Sequence, residues 1–173
     1  MAAANRLRQG VRALIAFTHE VDYALAGAYL NPAQLALFKQ MKRSEQLHSL
    51  NVLRGVMAQG DVPHDLALAA LLHDVGKTRY PLAVWQKTVA VIFRRLSPAR
   101  FVAWSACDPR HLWYRPFVVS ESHPRWGAEL VAATGASERA LWLIAHHADP
   151  LRERTAHPHA PLLARLKRAD DVN

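Results

Sequence analysis

Seven side chains able to hold a transition metal are spaced along the chain. They are His48, the adjacent pair His73-Asp74, then His123, the pair His146-His147, and either Asp170 or Asp171. Each falls at or near the end of a predicted helix. Helices of a bundle can aim such side chains at one point from several directions. Imidazole and carboxylate donors together suit Mn, Fe, Zn, Ni or Co and leave coordination positions for water or a phosphate oxygen. No phosphate-cradling glycine loop and no cysteine motif competes for the chemistry. A lone buried histidine is more often a hydrogen-bonded core residue, and an Asp near a helix end often caps backbone groups. His48 or His123 taken singly reads that way; set beside His73-Asp74, it reads as a ligand. His19, His64, His111, His157 and His159 lack such company and read as surface or core residues.

The pair His73-Asp74 poses the sharpest physical problem. The stretch before it, "DLALAALL", is almost purely apolar and predicts a buried helix, so the carboxylate is carried toward the interior. A buried charge without a partner is costly, and the partner must be another side chain or a metal ion. Consecutive helical residues point about 100 degrees apart, so both can reach one ion only where the helix frays.

The elements that must position these groups are all helical. Alanine, leucine and arginine dominate, and β-branched residues seldom alternate with polar ones. The 173 residues are read as a single domain, with a core over about 31–173 and an N-terminal helix within 1–30, regular over 11–30. Asn31-Pro32 signals a helix start, and Gly60 a left-handed end. Gly76 is read as a further C-cap. Residues 82–96 suggest an amphipathic helix with Trp85, Val89, Ile92, Phe93 and Leu96 facing the core, and Pro98 opens a shorter one. Residues 107–122 read as a loop, after which Pro124 opens a helix closed by Gly135. Ser137 caps "ERALWLIAHH", and "LLARLKRADDV" is the final helix. No apolar run is long enough to span a bilayer. The single Cys107 excludes an internal disulfide and makes a reducing cytoplasm the expected compartment.

The order His…His-Asp…Asp resembles the HD superfamily of metal-dependent phosphohydrolases. The contexts match as well: "HSLNV" from His48, "AALLHDVGK" around the pair, and "RLKRADD" at the last Asp. The resemblance implies an all-α HD-domain bundle of about seven to nine helices. It also implies that His48, His73, Asp74 and Asp170 bind a first metal, Asp170 being preferred over Asp171 because the family's Asp usually follows an Ala. A second tier, "SHPRWGAELV" and "LIAHHADP", is similar to the two-metal branch that includes the HD-GYP cyclic-dinucleotide phosphodiesterases, although the "GYP" signature is missing. By that likeness His123, His146 and His147 complete a second site bridged by Asp74. Small bacterial HD-domain proteins are the nearest type.

The resemblance implies one or two divalent ions, Mn or Fe with Zn, Ni or Co as alternatives, and hydrolysis of a phosphate ester or anhydride by metal-activated water. Asp74 and Lys77 are the candidate catalytic residues. Lys77, Arg79 and Arg115 are candidates for binding the substrate phosphate, and a nucleotide or cyclic dinucleotide is the expected substrate. A non-catalytic HD signalling or nucleotide-binding module is the alternative. Residues 78–115 carry seven Lys/Arg against the one acid Asp108, within a net charge of +8. Such a field attracts phosphates, nucleic acid or an anionic membrane surface. With Trp85, Trp104, Trp113, Tyr80 and Tyr114, residues 78–120 also read as a basic, aromatic insert or lid over the site.

Overall fold

Asn31 starts its helix by a reciprocal cap: its side chain accepts from Gln34 N–H at 2.9 Å while Gln34 Oε1 accepts from Asn31 N–H at 3.0 Å. That places Pro32 in the first turn, where a missing N–H costs nothing. The computed structural model describes residues 20–173, and nine α-helices and no strand occur among them. They are α1 (Tyr23–Gly27), α2 (Pro32–Gln40), α3 (Arg43–Met57), α4 (His64–Leu72), α5 (Val84–Leu96), α6 (Pro98–Ser105), α7 (Arg115–Ala132), α8 (Glu138–His146) and α9 (Ala160–Val172). Short 3₁₀ turns cover Val75–Arg79 and Leu151–Glu153. The all-α expectation holds.

Helix α4 is the axis of the fold. Every residue from Leu66 to Leu72 is buried, because α3, α8, α9 and α2 enclose it. Such all-round apolarity is what a fully enclosed helix requires. A smaller group, Ala90, Phe101 and Phe117 with Phe93 and Trp104 against it, joins α5 and α6 to the first half of α7.

Four expectations are corrected. The helix over 11–30 is not continuous where it can be seen: Asp22 accepts from Leu25 N–H at 2.9 Å and starts a new five-residue helix, α1, while 11–19 lie outside the described residues. The loop over 107–122 ends at Tyr114, since α7 begins at Arg115 with Pro116 in its first turn. Buried Phe117, Val118 and Val119 reward that start, and Pro124 lies inside the helix instead of opening it. On α5 Val89 and Phe93 face the core as expected, beside Gln86 and Ala90, but Trp85, Ile92 and Leu96 turn outward with 62 %, 43 % and 77 % of their surface exposed. Gln86 is drawn in because its Oε1 accepts from Ala83 N–H at 2.9 Å, and Lys87 reaches Glu45 at 2.7 Å on the neighbouring side.

Gly76 is the fourth. Its φ is not positive; among the described residues only Gly60 and Gly135 adopt the left-handed region. A side chain is excluded there for another reason. A methyl group on Gly76 would run into the His123 carbonyl oxygen and lie 2.6 Å from Gly127 N. The 3₁₀ turn after α4 therefore lies backbone to backbone against α7. Gly76→Ala is expected to cost about 3 kcal/mol, as overpacking against unyielding backbone does. Gly127→Ala meets Ile144 Cγ2 at 3.3 Å, Gly76 N at 3.4 Å and Val75 Cγ1 at 3.5 Å, contacts that need little or no shift, and it gains helix propensity, so it should be far closer to neutral. Urea unfolding of both variants checks this; equal midpoints would refute the close approach.

Candidate metal centre

The helical spiral stops where the sequence places its paired ligands. His73 is the C-cap of α4 with φ −55 and ψ −34, and Asp74 follows at φ −94 and ψ 0, opening the 3₁₀ turn. That change of backbone lets adjacent side chains point into one space, with His73 Nε2 3.7 Å from Asp74 Oδ2. Both are buried. Helix α3 brings His48, α7 brings His123, and His147 stands at the C-cap of α8. One donor atom each from His48, His73 and Asp74 lies within 4.8 Å of the others, and so do those of Asp74, His123 and His147. Asp74 is common to both groups.

Asp170 on α9 joins the first group through His48 Nε2 at 2.9 Å and His73 Nε2 at 3.8 Å. Its neighbour Asp171 is exposed. Asp74 Oδ1 faces the second group, 3.4 Å from His123 Nε2 and 3.8 Å from His147 Nε2.

The tautomers are fixed by the helices themselves. His73 Nδ1 lies 3.0 Å from Ala70 O, His123 Nδ1 2.9 Å from Val119 O, and His147 Nδ1 2.8 Å from Ile144 O. A carbonyl only accepts, so each Nδ1 carries a proton and each ring aims its Nε2 inward. Burial, which pushes His123 and His147 down, keeps those two rings neutral with an Nε2 lone pair. His123 Nε2 and His147 Nε2 face each other at 3.2 Å, and buried His73 Nε2 has no hydrogen-bond partner. Two lone pairs at that distance repel unless a cation lies between them. The donor set therefore fits a divalent metal, and carbonyl-anchored imidazoles are the usual support for one.

Electrostatics agree with the geometry. Burial alone would raise the Asp74 carboxyl, but the charges of Lys77 and then His73 lead the groups that outweigh it and hold the carboxyl well below the usual carboxylate range. Burial is opposed in the same way at Asp170, which His48 and His73 keep low. Burial pushes His123 down against the pull of Asp74. It pushes His147 well down, helped by His73 and His123. At His48 the pull of Asp170 and Asp74 overcomes burial, and its pKa rises. Lys77 Nζ sits 2.6 Å from Asp74 Oδ2, which raises the ammonium pKa despite burial.

Of the seven expected ligands, six stand in or beside the two groups. His146 does not: its Nδ1 is 2.7 Å from Asp149 Oδ2 and its ring lies against Trp142. Arg79 pairs with Glu129 at 3.0 Å, and Arg115 donates to Pro109 O at 2.9 Å; neither touches the cluster. Sequence reasoning missed the three carbonyls that set the tautomers, each three or four residues before its histidine. It also missed Glu45, a buried carboxylate one turn before His48 that pairs with Lys87 and helps raise Lys77.

The family model of the HD domain matches residues 47–173, a span that holds every residue of the centre. The chain belongs to the HD-domain family. No curated protein and no solved structure matches it. HD domains commonly are metal-dependent phosphohydrolases, and the two His/Asp groups of this one fit divalent metal. Protein stripped by chelator and reloaded with Mn, Fe or Zn should melt higher and retain the ion through desalting. His73→Ala should abolish both effects. Equal, near-zero metal in wild type and variant by elemental analysis would rule the centre out.

Proposed function

We propose that this HD domain is a phosphohydrolase that hydrolyses a phosphate ester or anhydride, with a nucleotide or cyclic dinucleotide as substrate and two divalent ions sharing Asp74. The observation that carries the reading is the position of Asp74 between two sets of imidazole donors. His48, His73, Asp74 and Asp170 would hold one ion, and Asp74, His123 and His147 the other. His146 would join the second only by giving up Asp149. Bound metal supplies the activation of water and the neutralisation of phosphoryl oxygens.

The protein groups divide the remaining work. Asp74, kept ionised, orients its two oxygens toward different donor sets: Oδ2 toward His73 and Lys77, Oδ1 toward His123 and His147. Lys77 is partly exposed at 23 %, so its ammonium can hold Asp74 with one N–H and offer another to a phosphoryl oxygen. A donor placed where charge develops is worth about 10² to 10³ in rate. The carbonyl-anchored imidazoles keep their Nε2 lone pairs in place without rearrangement.

A panel of nucleotides, cyclic dinucleotides and simple phosphate esters, assayed with Mn and with Fe, tests the activity. Lys77→Ala should bind metal as wild type does and lose turnover by roughly 10². Turnover unchanged on a responsive substrate would remove Lys77 from the reaction. A fully metal-loaded wild type inert across the panel would point instead to the non-catalytic signalling module. A second comparison concerns the number of ions. His123→Ala should keep one ion of two and little activity; full metal and full rate in that variant would show His123 to be structural.

A further inference from the structure

Ten large apolar side chains are exposed among the described residues, and seven of them lie between Trp85 and Trp113. Trp85, Ile92 and Leu96 occur at steps of seven and four, which places them in one stripe along α5. The stripe points away from the Ala90 and Phe93 side that packs on Phe117. Val102 on α6 and Leu112 beside Trp113 continue the apolar exposure, at 66–67 % each. A soluble surface does not ordinarily concentrate so much of its apolar area in one short segment.

The same segment holds the chain's strongest positive charge, seven Lys/Arg against Asp108 between residues 78 and 115. Asp108 is already bound by Arg110 at 2.9 Å, and Arg94 by Glu121 at 2.9 Å. Arg95 and Arg100 are exposed and make no hydrogen bond or ion pair among the described residues. Tryptophan, aliphatic side chains and free arginines together are the composition of a helix that lies in the plane of a membrane interface.

We propose that α5 and α6 dock this HD domain onto an anionic lipid bilayer. Trp85, Ile92 and Leu96 would enter the boundary between headgroups and acyl chains, with Arg95 and Arg100 at lipid phosphates. Charge decides against the other occupants. A second copy would set one basic segment against another. Residues 1–19 carry Arg6, Arg8 and Arg12 and no acid, so they have the same sign. A nucleic acid satisfies the arginines but gives Ile92, Leu96, Val102 and Leu112 nothing to pack on. The attachment is peripheral, since no described helix is long and apolar enough to cross a membrane. It is independent of the hydrolytic activity proposed above.

Co-sedimentation with vesicles tests the proposal, using phosphatidylcholine alone or mixed equally with phosphatidylglycerol. The intact protein should pellet with the anionic vesicles, less so in high salt, and scarcely with neutral ones. Arg95→Gln with Arg100→Gln should weaken binding roughly fivefold per arginine. Trp85→Gln with Leu96→Gln should weaken it by roughly tenfold or more, because apolar burial is lost while charge is kept. These positions are exposed, so circular dichroism should show unchanged folding. Absence of binding to anionic vesicles overturns the proposal. So does full binding by the Trp85/Leu96 variant, which would reduce the effect to charge. Self-association through this face, or capture of duplex DNA without vesicle binding, would assign the surface to another occupant.

Discussion

An ionised carboxylate at the inner end of a wholly apolar helix is the constraint to which the rest of the structure answers. Asp74 cannot be neutralised by solvent, because α3, α7, α8 and α9 close around the end of α4. Its charge is met first by one ammonium, Lys77, and then by the imidazoles gathered around it. Lys77 leads the groups that more than offset burial of the charge, and removing one partner of such a buried set is strongly destabilising. The donor atoms gathered around Asp74 fit the holding of a divalent cation.

The site was more legible in the sequence than the scaffold. His73-Asp74 stood out because an apolar helix has no structural need of either residue, and the remaining candidate ligands came from the resemblance to the HD superfamily. The helix-end expectation fails for His48 and His123, which lie inside α3 and α7. His146 shows the limit of that reasoning. Two adjacent histidines at a helix end are equivalent on paper, yet only His147 turns inward, while Asp149 three residues on holds His146 outside. On α5 the periodicity was right and its phase was off for three of five residues: Val89 and Phe93 pack inward, while Trp85, Ile92 and Leu96 do not. Apolar residues recur at helical spacing on two overlapping faces, and a one-dimensional pattern cannot say which face meets a neighbour. The side chosen by the fold contains Gln86, which spacing rules count as polar but which caps its own helix.

Pro32, Pro98, Gly60 and Gly135 act as expected, and Pro124 and Gly76 misled for a related reason. Pro124 reads as a helix start, yet α7 continues through it, because packing of Phe117, Val118 and Val119 rewards an earlier start more than the lost hydrogen bond costs. Gly76 reads as a left-handed cap, yet the need is steric and concerns a backbone about fifty residues away in sequence. Neither fact is local. The contact at Gly76 also ties the site to the scaffold: the turn that carries Asp74 and Lys77 lies directly on the stretch of α7 that carries His123, so their spacing is set by backbone contact and not by flexible side chains.

The candidate ligands also differ greatly in their distance along the chain. His48 comes early in the HD domain and Asp170 late, and in the folded protein they meet at 2.9 Å. An ion gripped by both would close a loop over most of the domain, and closing so long a loop removes much of the freedom of the unfolded chain. The centre would then act as a clasp as well as a reagent. It would behave as a reversible counterpart of a disulfide in a protein whose single cysteine cannot form one within the chain.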